Sequence, residues 1–291
     1  MARVHTGTVS LGIDERGEGA PLVLLMGLAW PRTYWDEGFC DALAARGFRV
    51  LRVDHRDVGE SDFLDVTPPN IGRVVQAAFA GEPVDAPYLL ADMARDVVGL
   101  LDALELERAH LVGASLGGMV AQTLAIAHPE RVASLTSVMS STGDPEKVLA
   151  STAALDVLFT PIPTEREAAI AHQVEAFRTL SGAAFDEARV RALAARGFDL
   201  QAHVPGLQRQ QGAARQLVAL LASGPRVEAL PGVEAPSLVV HGAEDPLVPL
   251  EAGEQTAALI PGAELLVLEG MGHDVAPPFW APVADAIAAL R

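Results

Sequence analysis

The chain has 291 residues, half of them apolar, which is enough to bury one large α/β core with an insertion and too apolar for a disordered protein. A formal net charge of −17 argues against nucleic acid, whose phosphates it would repel, and the single cysteine, Cys40, excludes a disulfide framework and a thiolate metal site. No apolar run approaches a membrane span, and the first residues lack the apolar core of a secretory signal, so we expect a cytoplasmic protein.

Val4 to Asp14 alternates weakly and predicts a hairpin, followed by a turn cluster from Glu15 to Pro21. Leu22 to Met26 is a short apolar run ending at Gly27, the pattern of a buried strand. Asp36 to Arg46 reads as a helix stopped by Gly47, with Cys40 as a core residue. Phe48 to Val53 is a second strand, running into Asp54-His55-Arg56-Asp57. Residues 62–87, punctuated by Pro68, Pro69, Pro83 and Pro87, read as irregular. The stripe Leu90, Met93, Ala94, Val97, Leu101 and Leu104 predicts a helix. Ala109 to Val112 is another strand, Leu116 to His128 a helix stopped by Pro129, and Val132 to Met139 a further strand.

From about residue 141 to 226 the strand runs vanish. Thr164-Glu-Arg-Glu167 is a capping-box pattern opening a helix that runs to Leu180. Two more helices are expected, Glu187 to Arg196 ended by Gly197, and Arg209 to Leu221. The strand pattern resumes at Ser237 to Val240 and again at Glu264 to Leu268, with helices at Glu251 to Ile260 and Pro282 to Arg291. This alternation implies an α/β protein with a mostly parallel central sheet and helices on both faces. We expect a core of residues 1–140 and 227–291 and a helical cap of residues 141–226.

In such a sheet the site lies beyond the carboxyl ends of the strands. Gly27, Asp54, Ser115, the Asp245 loop and the His273 loop all follow expected strands, on one rim. Gly113-x-Ser115-x-Gly117 alone is a weak pattern in a glycine-rich chain. Between a strand and a helix, however, it describes a serine on a sharp turn whose hydroxyl points outward, beside free N–H groups at the helix start. A serine needs a base. His5, His110 and His128 adjoin strands or helix ends and read as structural, and His241 reads as packing. His172 and His203 stay open as cap contacts, and His273, in the glycine-rich loop Glu269-Gly-Met-Gly-His273-Asp, is the candidate base. Asp245, before Pro246, is the candidate acid that orients it, with Asp144 as the geometric alternative and Asp274 too near His273 in sequence to be favoured. Backbone N–H groups of Leu28 and Leu116 are the candidate oxyanion donors.

Met26-Gly27, Asp54-His-Arg-Asp-x-Gly-x-Ser61, Gly113-Ala-Ser-Leu-Gly-Gly118, Gly242-x-x-Asp245-Pro and Gly270-Met-Gly-His273 together resemble the α/β-hydrolase superfamily across essentially the whole chain. Asp54 to Ser61 and Gly270 to His273 most resemble its aclacinomycin methylesterase-like group. The resemblance implies that Asp54 and Arg56 brace loops rather than do chemistry. The expectation is a cofactor-independent, metal-free serine esterase working through an acyl-enzyme, with a small-molecule ester as its partner and a homodimer left open. The same triad serves lactonases, perhydrolases or haloperoxidases, and carbon–carbon bond hydrolases. A ligand-binding protein that keeps the triad is the reading from another class. Phe159, Phe177 and Phe185 are candidates for the apolar underside of the cap.

Overall fold

In a computed structural model that describes residues 2–147 and 150–291, eight strands form one sheet ordered β1-β2-β4-β3-β5-β6-β7-β8. Met1 and positions 148–149 of the expected insertion lie outside the described residues. In chain order the elements are β1 (Ala2–His5), β2 (Ser10–Arg16), β3 (Ala20–Leu25), α1 (Glu37–Ala44), β4 (Phe48–Val53), α2 (Ile71–Phe79), α3 (Leu90–Ala103), β5 (Ala109–Ala114), α4 (Leu116–Ala127) and β6 (Val132–Val138). Then come α5 (Thr152–Phe159), α6 (Arg166–Leu180), α7 (Glu187–Leu200), α8 (Gly206–Ala222), β7 (Ser237–Gly242), α9 (Leu250–Leu259), β8 (Glu264–Leu268) and α10 (Trp280–Ala289). β1 and β2 form the expected hairpin, β2 pairs antiparallel with β4, and the pairs from β4 to β8 are parallel.

The apolar run of β3 is explained by burial on both faces. Leu22 and Leu24 pack with Phe39 and Leu43 of α1 and Ile287 of α10, whereas Val23 and Leu25 pack with Val97 of α3 and Val120 of α4. Alternate side chains of a strand point to opposite faces, so a strand covered on both must be apolar throughout. Because β4 and β5 flank β3 on opposite sides, the chain reverses direction across the sheet there, and a crevice opens beyond the strand ends.

Four helices, α5 to α8, fill the stretch between β6 and β7. Two of the ten α-helices among the described residues are absent from the sequence reading. Helix α2 lies inside the stretch read as irregular: Asn70 caps it, accepting from Arg73 N–H at 3.1 Å, and it packs on α8. The prolines lie outside it on both sides, so they bound the helix rather than forbid it. Helix α5 is capped by Ser151. The capping box at Thr164 is not formed: α6 begins at Arg166 after Glu165, and the Glu167 carboxylate accepts from Arg166 instead. Gly197 does not end α7, which continues to Leu200. A Cβ at Gly197 would meet the Tyr34 ring at 2.5 Å, so this glycine serves close approach, not termination. Among the described residues no helix is long and apolar enough to cross a membrane.

Candidate active site

Ser115 follows β5 directly and holds φ 52° and ψ −117°, a conformation that L residues seldom adopt. Its N–H donates to Val138 O at 2.9 Å, and its carbonyl accepts from Gly118 N–H, Met119 N–H and the Ser140 hydroxyl. The backbone on both sides is thereby held while the side chain faces a cavity. The turn depends on its glycines. A Cβ on Gly117 would collide with Leu25 O, and one on Gly113 would collide with Gly117 O.

Asp245 follows β7. Its Oδ1 accepts from Leu247 N–H at 2.9 Å and Val248 N–H at 2.8 Å, and its Oδ2 lies 2.7 Å from His273 Nδ1. With Nδ1–H donating to that carboxylate, Nε2 is left as an acceptor. His273 is almost wholly buried, its N–H donates to Leu180 O at 2.6 Å, and it lines the same cavity as Ser115. The structure thus joins Asp245 to His273 and sets His273 and Ser115 in the lining of one cavity, from three loops on one rim. Asp144 is engaged elsewhere, accepting from Gln255 Nε2 at 2.7 Å. Asp274 pairs with Arg189 at 2.7 Å and accepts from the Ser181 hydroxyl at 2.9 Å.

The other histidines sort by contact. His241 is buried and bonds Val248 O at 2.8 Å through Nε2, behind Asp245, and His110 bonds the Ser134 hydroxyl at 2.8 Å. His203 is exposed, whereas His172 lines the cavity, where burial holds its pKa below the ordinary imidazole value.

Leu28 lines the cavity, and a Cβ on Gly27 would lie 3.5 Å from that of Ser115. Among the described residues neither Leu28 N–H nor Leu116 N–H donates to a protein acceptor. The next N–H, that of Ala29, is taken by Gln216 Oε1 at 2.8 Å. Asp54 is buried and accepts from Arg32 N–H at 2.6 Å, Glu60 N–H at 3.0 Å and the Arg32 guanidinium. Burial pushes the Asp54 carboxyl up to about 6 against the opposing pull of Arg32. Arg56 pairs with Asp96 at 2.6 Å, so both residues act as loop braces.

The cavity has a volume of about 360 Å³, and its lining is mostly apolar. The sheet side contributes Leu28, Trp30, Ser115 and His273, and the inserted helices contribute Phe159 and Leu217 among others. Of the three phenylalanines expected there, only Phe159 is found in the wall. Phe177 stacks on Trp30 and Tyr34, and Phe185 lies under the Arg178 guanidinium. Among the described residues no three His, Cys, Asp or Glu side chains gather to hold a metal ion.

Residues that join the insertion to the sheet escaped the sequence reading. Arg215 of α8 pairs with Asp57 at 2.6 Å, both side chains wholly buried, and Arg189 of α7 bridges Asp274 and Asp36. Gly182 bridges Met271 in the His273 loop. The signal that was present is Arg215-Gln216 beside Gly212, Leu217, Val218 and Ala219: two polar residues adjoining the buried part of a helix.

Residues 20–277 match the α/β hydrolase fold family. The rhodomycin D methylesterase DauP of Streptomyces sp. (strain C5) is 30% identical, with 96% of this chain and 93% of that protein aligned. A 2-hydroxy-6-oxononadienedioate/2-hydroxy-6-oxononatrienedioate hydrolase of Paraburkholderia xenovorans is 27% identical, over 92% of this chain and 85% of that one. Among solved structures, the esterase RhEst1 from Rhodococcus sp. ECU1013 superposes with a TM-score of 0.75 at 25% identity, covering 99% of this chain and 98% of that one. The sheet order, the strained serine after β5 and this match over most of the chain place the protein in the α/β-hydrolase fold family, with similarity to rhodomycin D methylesterases along nearly its whole length.

Proposed function

We propose that the protein is a serine esterase that cleaves a carboxylic ester through an acyl-enzyme. Ser115 Oγ attacks the ester carbonyl as His273 Nε2 takes its proton, and Asp245 orients the ring and stabilises the imidazolium. Leu28 and Leu116 N–H groups hold the oxyanion. The tetrahedral intermediate expels the alkoxide, which takes the proton from His273. Water, deprotonated by the same imidazole, then releases the acid and restores Ser115. Residues 141–226 act as a cap that closes the apolar cavity over the ester.

The observation that carries this reading is the 2.7 Å contact between His273 and a carboxylate already fixed by two backbone N–H groups, at the cavity that holds Ser115. The methylesterase relatives support the ester over other acyl substrates. A second reading, carbon–carbon bond hydrolysis, has support from the Paraburkholderia relative. The test is fluorophosphonate labelling of the wild-type protein and Ser115→Ala, followed by turnover of methyl esters, lactones and vinylogous diketo acids. Labelling that vanishes in Ser115→Ala, a loss of turnover of roughly a millionfold, and preference for esters are expected. A folded wild-type protein that is not labelled would overturn the reading, and preference for the diketo acids would select the second one.

A further inference from the structure

Among the described residues three glutamines are buried, and two of them are bonded at both ends of the amide. Gln122 donates to the Ser137 hydroxyl at 3.0 Å and accepts from Arg226 Nε at 3.0 Å. Gln216 accepts from Ala29 N–H and donates to Arg56 O, each at 2.8 Å. The third, Gln173 on α6, is only 6% exposed, and its Oε1 is shut away from solvent with no hydrogen-bond partner. Gln173 lines the cavity that holds Ser115 and His273, where its neighbours along the helix include Ala176 and Leu180.

A buried carboxamide without a partner destabilises a fold, and leucine or methionine would fill the same space without that cost. The cavity as a whole is mostly apolar, and Oε1 is closed off from it as from bulk solvent. Among the described residues no acceptor takes Nε2, so the other end of the amide, whichever way round it lies, is left to find its partner in what enters the cavity. The position of Gln173 says where on the ligand that partner sits. Leu180, whose carbonyl holds His273 N–H, lies seven positions on from Gln173, a rise of about 10 Å along the helix axis. An amide placed either way round presents both a donor and an acceptor. A hydroxyl, which also does both, satisfies it in either orientation.

We propose that Gln173 is a specificity-determining residue that binds a hydroxyl carried on an otherwise apolar acyl body, on the order of 10 Å from the carbonyl under attack. The inference rests on the reading of Ser115 and His273 as the reacting pair only for where the carbonyl lies. The subsite itself rests on the cavity and the unpartnered amide.

Two measurements test it. In the first, quenching of tryptophan fluorescence (Trp30 lines the cavity) reports binding of para-phenylphenol and of biphenyl, a pair differing by one hydroxyl, without any chemistry. The wild-type protein is expected to bind the phenol roughly tenfold more tightly, and Gln173→Leu and Gln173→Met to bind the two alike. In the second, the methyl esters of biphenyl carboxylic acid with and without a far-end para-hydroxyl are compared by kcat/KM, where the same preference and the same loss are expected. Both variants should melt no lower than the wild type, because they remove an unpaired polar group. Equal binding of phenol and biphenyl by the wild type, or a preference that survives in the variants, would overturn the subsite. So would a lowered Tm with the preference intact, which marks Gln173 as structural. Selective phenol binding in a protein whose Ser115 resists fluorophosphonate would keep the subsite while the esterase reading fails.

Discussion

Gln216 Oε1, on inserted helix α8, accepts from Ala29 N–H at 2.8 Å, and its Nε2 donates to Arg56 O at 2.8 Å. Ala29 sits at φ 60°, a conformation an alanine holds only when its surroundings impose it. One buried amide therefore fixes the loop that presents Leu28 N–H, and it reaches that loop from the insertion rather than from the sheet. Gln216→Met keeps the bulk and removes the acceptor. With Leu28 as an oxyanion donor, kcat should fall roughly ten- to a hundredfold, while KM changes by less than about threefold. Affinity for an aryl boronic acid, which mimics the tetrahedral intermediate, should fall in parallel. A change confined to KM would show that the loop keeps its shape unaided.

The serine turn makes a prediction about volume. A Cβ at Gly117 meets the carbonyl oxygens of Leu25 and Met26, and backbone cannot swing aside as a flexible side chain can. Gly117→Ala should lose about 2 kcal/mol or more of stability and most of its activity. Gly232→Ala, where an added Cβ has nothing within 4 Å, is the matched control. It should stay within roughly 0.5 kcal/mol of the wild type in urea unfolding. Similar urea midpoints for the two variants would sink the close-packing account.

Arg215 and Asp57 form a wholly buried pair, and Asp57 also accepts from Tyr88 at 2.9 Å and Leu64 N–H at 2.8 Å. Arg215→Met leaves a carboxylate buried without its countercharge, and a loss of about 3–5 kcal/mol is expected. Asp57→Asn in that background should recover part of the loss, because a neutral amide needs no countercharge and asparagine tolerates the positive φ there. A double variant no more stable than Arg215→Met alone would show that the buried charge is not the cause.

The pH dependence of stability follows from His55. Burial, aided by Arg56, lowers its pKa to about 4, against the opposing effect of its bond to Met26 O. Between the ordinary value of about 6.5 and that lowered value, the unfolded chain binds a proton that the folded protein refuses. Stability should therefore be unaffected by this group above about pH 6.5 and fall as the pH drops through the window, by up to about 3 kcal/mol. Burial lowers His110, His172 and His241 as well, which steepens the same slope. His55→Gln, which keeps a donor for Met26 O, should flatten the dependence in urea titrations at several pH values. An unchanged slope would count against the assignment.

The strands and the rim were legible because local rules govern them. Strands announce themselves as short apolar-rich runs, and the runs at Phe48–Val53 and Glu264–Leu268 match β4 and β8 residue for residue. Ser115, Asp245 and His273 could be named because each ends such a run at a glycine or proline that constrains the turn. Helix α2 was hidden by flanking prolines. The extension of α7 was hidden by Gly197, which reads as a stop until the Tyr34 ring is found against it.

Local pattern, then, was enough to determine a mostly parallel sheet and to name the residues that follow its strands, since strand, turn and helix signals depend on residues a few positions apart. The tertiary structure alone decided which distant groups hold those residues and loops in place. Gln216 lies 187 positions from Ala29 and Arg215 lies 158 from Asp57. Gln173 is likewise marked only by lining the cavity with an amide oxygen that has no partner. Such pairings leave no periodic trace in a sequence, because they are set by how the insertion packs on the sheet and by which polar groups that packing removes from water.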